Sequence, residues 1–256
     1  MEVDDHFAAA SDSITWAREA LGEFELIARD FSRSGVFRII VERDERTGVN
    51  EQKLQLTTNL PKLLRRKLTE ALVTTRHAFD QATYASKICL GQVAGKRVYF
   101  PWASSPADLQ GRLKKLGIDT RMWDIFEGLE PYPESDVYSG GCTVKRTLAT
   151  IANDKHTVGL AVHPRINRVK YPDVLTGKTE LFEALAPNWD PVRNEAVLMR
   201  WKGEVKISGD YDVHLAILFK DRRLKEPVNA VLGTAALIDM AERLTVQLKE
   251  RCASLH

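Results

Sequence analysis

Cysteine is scarce in this chain: only Cys89, Cys142 and Cys252 occur in 256 residues, an odd number with no Cys-x-x-Cys pair. That usage argues against a disulfide framework and a cysteine-built zinc site, and it fits a reducing compartment. An excess of charge of one sign is also missing. With 37 Lys+Arg against 35 Asp+Glu the formal charge is +2, too small a bias to draw in nucleic acid or an anionic membrane in bulk. Long apolar runs are absent. HLAILF around Leu215 and AVLGTAALIDMA from Ala230 fall far short of the ~20 residues a spanning helix requires, so no membrane partner is expected. The opening residues, MEVDDHFAAASDS, are acidic where a secretory leader would be basic and then apolar, so the expected setting is the cytoplasm.

Familiar catalytic signatures are missing too. There is no GxGxxG, GxSxG, HExxH, SxxK or EF-hand loop. Gly177-Lys178-Thr179 ends like a P-loop, but Pro172 stands where such a loop needs its first glycine. The tripeptide reads instead as a turn between two strands.

What is present is the composition of an ordinary soluble globular protein, 44% hydrophobic and 28% charged. Helical spacing of Ile14, Ala17, Leu21, Phe24 and Ile27 predicts a helix over 7–29. Phe37, Ile39 and Val41 alternate, and after the polar turn DERTGVNE so do Leu54 and Leu56, which predicts a β-hairpin over 35–57. Asn59 and Pro61 announce a long helix to Cys89, and Ser105-Pro106 opens another that Gly117 stops. A short strand is expected from Gly95 to Pro101, and a helix from Cys142 to Asn153. Beyond His156 the period changes to two. Val197, Met199, Trp201, Val205 and Ile207 share one parity, and Tyr211, Val213, Leu215, Ile217 and Phe219 share another face. One wet face per sheet implies antiparallel strands. A helix from Val228 to Arg251 closes the chain, and the Tyr211–Phe219 face is expected to pack on its Val231, Leu232, Ala235 and Ile238. The expectation is an α+β fold in a single domain, 1–256. Its first part, 7–156, is helical and carries the hairpin; 157–256 forms an antiparallel sheet closed by a long helix.

Several polar residues fall where packing is expected. In the long helix Arg76 and Asp80 follow the row Leu60, Leu64, Leu68, Leu72, and a polar run, Asn153-Asp154-Lys155-His156, ends the Cys142 helix. The segments Thr75–Gln81 (TRHAFDQ), Phe100-Pro101-Trp102, Pro131-Tyr132 and Leu148 through His156 resemble a loosely defined group of uncharacterised bacterial proteins with the pattern LRxxLDH, FPW, PY and NDKH. The likeness runs from Arg76 to His156. Thr75, Phe79 and Gln81 depart from it, and it implies no activity, because none is established for that group.

Three readings of the cluster stand side by side. Arg76, Asp80, Asp154 and His156 form a buried structural knot, since buried charges persist when paired. Alternatively Asp80, Asp154 and His156 are catalytic, doing acid–base work with Arg76 clamping an anion. In the third, His77, Asp80, Asp154 and His156 hold a divalent metal, although no recognised ligand spacing supports it. A second anion site is suggested by Gly140-Gly141-Cys142, which opens a helix carrying Lys145 and Arg146 in its first turn. The basic run Lys62, Arg65, Arg66, Lys67 and the group Arg222, Arg223, Lys225 read as solvated faces, because no aromatics interleave them as a single-strand surface requires. The functional expectation is a soluble binding or accessory domain. The alternative is a hydrolase or nuclease acting on a phosphate-bearing substrate. The sequence specifies no cofactor and no partner; it leaves self-association open and gives little support to nucleic acid.

Overall fold

A computed structural model of the chain describes residues 2–93, 98–154, 160–190, 192–219, 221 and 223–255, with the backbone alone at 154 and 174–176. His156 and the side chain of Asp154 therefore lie outside the described residues, and with them their part in the expected knot with Arg76 and Asp80. The fold is α+β, with antiparallel sheets and a long final helix. No helix among the described residues is long and apolar enough to cross a membrane. The chain forms two compact units built from interleaved segments: Met1–Glu25, Arg65–Ala161 and Phe219–His256 in the first, Leu26–Leu64 and Val162–Leu218 in the second.

The helices are α1 (Val3–Arg33), α2 (Lys62–Cys89), α3 (Pro106–Leu116), α4 (Trp123–Gly128), α5 (Thr143–Asp154) and α6 (Ala230–Leu255). In the first unit α6 buries Ala230, Thr234, Leu237, Ala241, Leu244 and Leu248, the three- and four-residue spacing of one helical face. It lies so close to α5 that a Cβ on Gly233 would stand 3.1 Å from Leu148 Cδ1. Arg18 of α1 ties to Asp239 and Glu242 of α6 at 2.9 and 2.6 Å. Ser13 Oγ donates to Gln81 Oε1 of α2 at 2.8 Å. Gln81 is thus committed to α1. The ends of α3 follow its sequence signals. Ser105 Oγ accepts from the Asp108 N–H at 3.1 Å, and Gly117 closes the helix in the left-handed region. Lys87 Nζ reaches across from α2 to the freed carbonyls of Leu116 and Gly117 at 2.5 and 3.0 Å.

The strands are β1 (Phe37–Arg43), β2 (Asn50–Leu56), β3 (Val162–Lys170), β4 (Asp173–Ala184), β5 (Trp189–Asp190), β6 (Glu195–Ser208), β7 (Asp212–Phe219) and β8 (Val228–Asn229). In the second unit the hairpin β1–β2 pairs antiparallel with β6, which pairs in turn with β4, in the order β1-β2-β6-β4. Strand β3 runs beside β7. Leu54, Ile166, Ala196, Leu198, Met199 and Trp201 form the core here, and Tyr211, Val213 and Leu215 pack against it.

Three sequence expectations are corrected. Of the Tyr211–Phe219 face, Tyr211, Val213 and Leu215 pack on the core of the second unit. Phe219, fully buried, belongs to the first unit and stands 3.7 Å from where a Cβ on Gly233 of α6 would lie; Leu232 of that helix is 69% exposed. Alternation identifies a strand's buried face but says nothing of what covers it. Gly177-Lys178-Thr179 is no turn: β4 runs through it with a shift of register opposite Gly203. The shift depends on Gly203, at φ +106°, where a Cβ would stand 2.3 Å from the Lys178 carbonyl oxygen. Finally, 98–101 forms no strand, because the Phe100 N–H is taken by a side chain of α2.

Candidate functional site

The second half of α2 brings Arg76 and Asp80 one turn apart, with Arg76 Nε 4.0 Å from Asp80 Oδ2 and both side chains 23% exposed. Between them on the helix, Phe79 is fully buried and meets Phe100 and Trp102 at ring-centroid distances of 4.7 and 5.0 Å. Phe100 in turn contacts Phe126 of α4 at 5.9 Å. This aromatic group holds the segment 98–103 against α2, and the Phe100 N–H donates to Asp80 Oδ1 at 2.8 Å. The same segment then turns toward α5. The Ala103 N–H donates to the Pro131 carbonyl at 2.9 Å, and its own carbonyl accepts from Arg146 Nε at 3.2 Å.

Arg146 is the unusual member. Its Nη1 donates to Thr150 Oγ1 one turn on, but no carboxylate of the described residues lies within ion-pair distance of it. A guanidinium carries five N–H donors, and among the described residues two of these have an acceptor. Burial pushes its pKa down, and the charges of Arg112, Arg76 and Arg223 push it down further, with Asp108 opposing. Four arginines from α2, α3, α5 and the segment before β8 thus act on one half-buried place. Three of them have aspartates of their own, Arg76 in Asp80 at 4.0 Å and the other two more closely. Arg112 Nε lies 3.0 Å from Asp108, which also accepts from the N–H and hydroxyl of Ser104, and Arg223 Nη2 lies 2.7 Å from Asp221. Beside Ala103, the Trp102 indole Nε1 is buried with no acceptor among the described residues.

Asp80 has the opposite problem. Burial holds its carboxyl above the ordinary 3.8, and this outweighs the Phe100 N–H and the charges of Arg76 and His77. An acid whose folded pKa is raised costs stability as pH rises through that value, and the cost vanishes below the unfolded value. Asp80→Asn keeps an oxygen for the Phe100 N–H and carries no charge. It should therefore be at least as stable as the wild type at pH 7, with the difference shrinking toward pH 3. Urea unfolding across that range checks the expectation.

At the start of α5, Gly140 and Gly141 have φ of +83° and +90°, and a Cβ on Gly141 would stand 2.8 Å from the Tyr132 and Pro133 carbonyl oxygens. The Gly141 N–H donates to Glu130 Oε2 at 3.1 Å, and the Cys142 N–H donates to the Tyr132 carbonyl at 2.8 Å. A carboxylate of the chain therefore already sits at this turn. Lys145 is half-buried on α5 and does not figure among the charges acting on Arg146. Of the residues singled out from sequence, Arg76, Asp80 and Arg146 meet around the 98–103 segment. Cys142 lies one turn before Arg146, its carbonyl accepting from the Arg146 N–H at 3.0 Å. Among the described residues no group of three or more His, Cys, Asp or Glu is placed to hold a metal ion, and His77 is exposed.

Arg112 and Arg223 complete the arginine group, yet no local spacing marks them: Arg112 reads as an exposed helix residue and Arg223 as part of a solvated basic run. The orphaned Trp102 donor is equally silent in the sequence. No family model matches the chain, and no curated protein or solved structure does either.

Proposed function

We propose that the protein is a binding or accessory domain for an anionic, phosphate-bearing ligand, taken up at Arg146 with Arg76, Arg112 and Arg223 around it. The observation that carries this reading is Arg146 itself: a half-buried guanidinium, acted on by three like charges and without a carboxylate partner among the described residues. Burying a charge is costly unless it is paired, and here a partner from outside the chain would pair it. A multiply charged anion suits four arginines better than a single carboxylate does, and guanidinium presents paired N–H groups that match phosphate oxygens. The Trp102 indole offers a further buried donor in the same segment.

Calorimetric titration with inorganic pyrophosphate tests the reading. The wild type should bind, and Arg146→Gln should lose about 10- to 100-fold in affinity, as expected for one charge-assisted contact of roughly 1.5–3 kcal/mol. Arg112→Gln and Arg223→Gln should lose less, since each arginine already has an aspartate at its side. Equal binding by wild type and Arg146→Gln, or no binding by the wild type, would refute it.

A hydrolase or nuclease is the second reading, favoured by the raised carboxyl of Asp80 beside Arg76. It predicts release of phosphate from a model phosphoester by the wild type. Asp80→Asn would abolish that release while still binding pyrophosphate.

A further inference from the structure

Strand β1 ends its sheet, with β2 on one side and, among the described residues, no strand on the other. It is open to solvent along that edge: Ile39 is 38% and Val41 53% exposed. The hairpin register fixes which backbone groups are free. The Thr57 N–H donates to the Val36 carbonyl and the Asp44 N–H to the Val49 carbonyl, at 2.8 and 2.9 Å, so even-numbered residues of β1 face β2. By strand alternation, Phe37, Ile39, Val41 and Arg43 present their N–H and C=O groups outward.

Edge strands commonly carry charges that keep copies apart. Here the charges are placed symmetrically. In FRIIVER, Arg38 and Glu42 flank Ile40 at equal distance with opposite sign. An antiparallel second β1 centred on Ile40 sets Arg38 against Glu42 of the second copy, twice, and Ile39 against Val41. Shifting the register by two residues sets Glu42 against Ile40 or Val36 and Arg38 against Ile40 or Asp44, whose carboxylate already accepts from the Arg46 and Thr47 N–H groups of its own turn. The even-numbered pairs are then the non-hydrogen-bonded ones, where facing Cα atoms approach to ~4.5 Å and side chains meet most closely. Both charges have capacity to spare. Arg38 uses Nε and Nη2 on Gln55 but not Nη1, and Glu42 uses Oε2 on Lys53 but not Oε1.

We infer that β1 pairs with β1 of a second copy of this chain, in the register that opposes Arg38 to Glu42, joining two sheets into one. The interface uses the second unit only and is independent of the arginine site.

Sedimentation over a concentration series tests it. The wild type should approach twice the 28.9 kDa chain mass as concentration rises. Glu42→Arg opposes two arginines at both ends and should weaken association at least tenfold. The double variant R38E/E42R exchanges the charges, restores complementarity and should restore association. Val41→Pro removes an outward N–H that the hairpin does not use, and should give a folded monomer by circular dichroism. A wild type that stays monomeric to millimolar concentration would overturn the inference. So would association unchanged in Glu42→Arg and in Val41→Pro, or a folded double variant that fails to associate.

Discussion

Phe79→Ala is expected to destabilise the first unit by about 3–5 kcal/mol, the range for truncating a fully buried aromatic side chain. Phe79 has no exposed surface and meets both Phe100 and Trp102, which are themselves 4.7 Å apart. Its loss removes apolar contacts and two ring pairs, and the rings it leaves behind cannot collapse freely. Phe100 is also held by its backbone N–H on Asp80, and Ala103, three residues on, by bonds to Pro131 and Arg146. The cavity therefore persists, and the Ala103 carbonyl that orients Arg146 loses its support. Urea unfolding should show the full loss, with Phe79→Leu milder because more of the volume is kept. Anion affinity should fall in the alanine variant as well.

Lys53→Ala is expected to cost the second unit about 3–5 kcal/mol, because it strands carboxylates that one ammonium now serves. Lys53 Nζ lies 2.6 Å from Glu42, 3.3 Å from Glu195 and 3.6 Å from Glu51, and its side chain is only 6% exposed. Glu195, 10% exposed, would be left, among the described residues, with Arg193 at 3.8 Å. Lys53 holds the Glu42 carboxyl below its ordinary 4.5, so that part of the stabilisation is present above 4.5 and fades as pH falls through the lowered value. The ammonium, raised above its ordinary 10.5 chiefly by Glu42, keeps its share below 10.5 and loses it as pH rises through the raised value. The gap between wild type and Lys53→Ala should be widest between these limits and narrow in acid. Denaturant unfolding at pH 7 and pH 3 measures it.

Local signals were the legible part of this fold. Ser105-Pro106 and Gly117 act within one helix and mark α3 correctly at both ends. The hairpin, the long helix to Cys89 and the closing helix likewise follow from periodicity and caps. Distant partners decided the rest. Gly177 turns nothing because Gly203 on the neighbouring strand admits a shift of register. Phe100 enters no ladder because Asp80, twenty residues earlier, captures its N–H. The β7 face is apolar whichever layer covers it, so the pattern alone could not tell that Tyr211, Val213 and Leu215 join the second unit's core while Phe219 joins the first unit. The site divides in the same way. Arg76 and Arg146 stood out at an apolar flank and a helix start, but Arg112 and Arg223 reach them only through tertiary folding, each from a stretch that reads as solvated surface.

The most direct test of the arginine site compares thermal unfolding of the wild type and Arg146→Gln, with and without pyrophosphate, at one ionic strength. If Arg146 is there for a ligand, the variant without anion unfolds within about 1 kcal/mol of the wild type, since the lost bond to Ala103 is offset by relief from three like charges. Pyrophosphate at a hundred times its Kd then stabilises the wild type by about 2.7 kcal/mol and leaves the variant unmoved. A variant several kcal/mol less stable without anion, with pyrophosphate raising both proteins equally, would make Arg146 a structural residue and contradict the account.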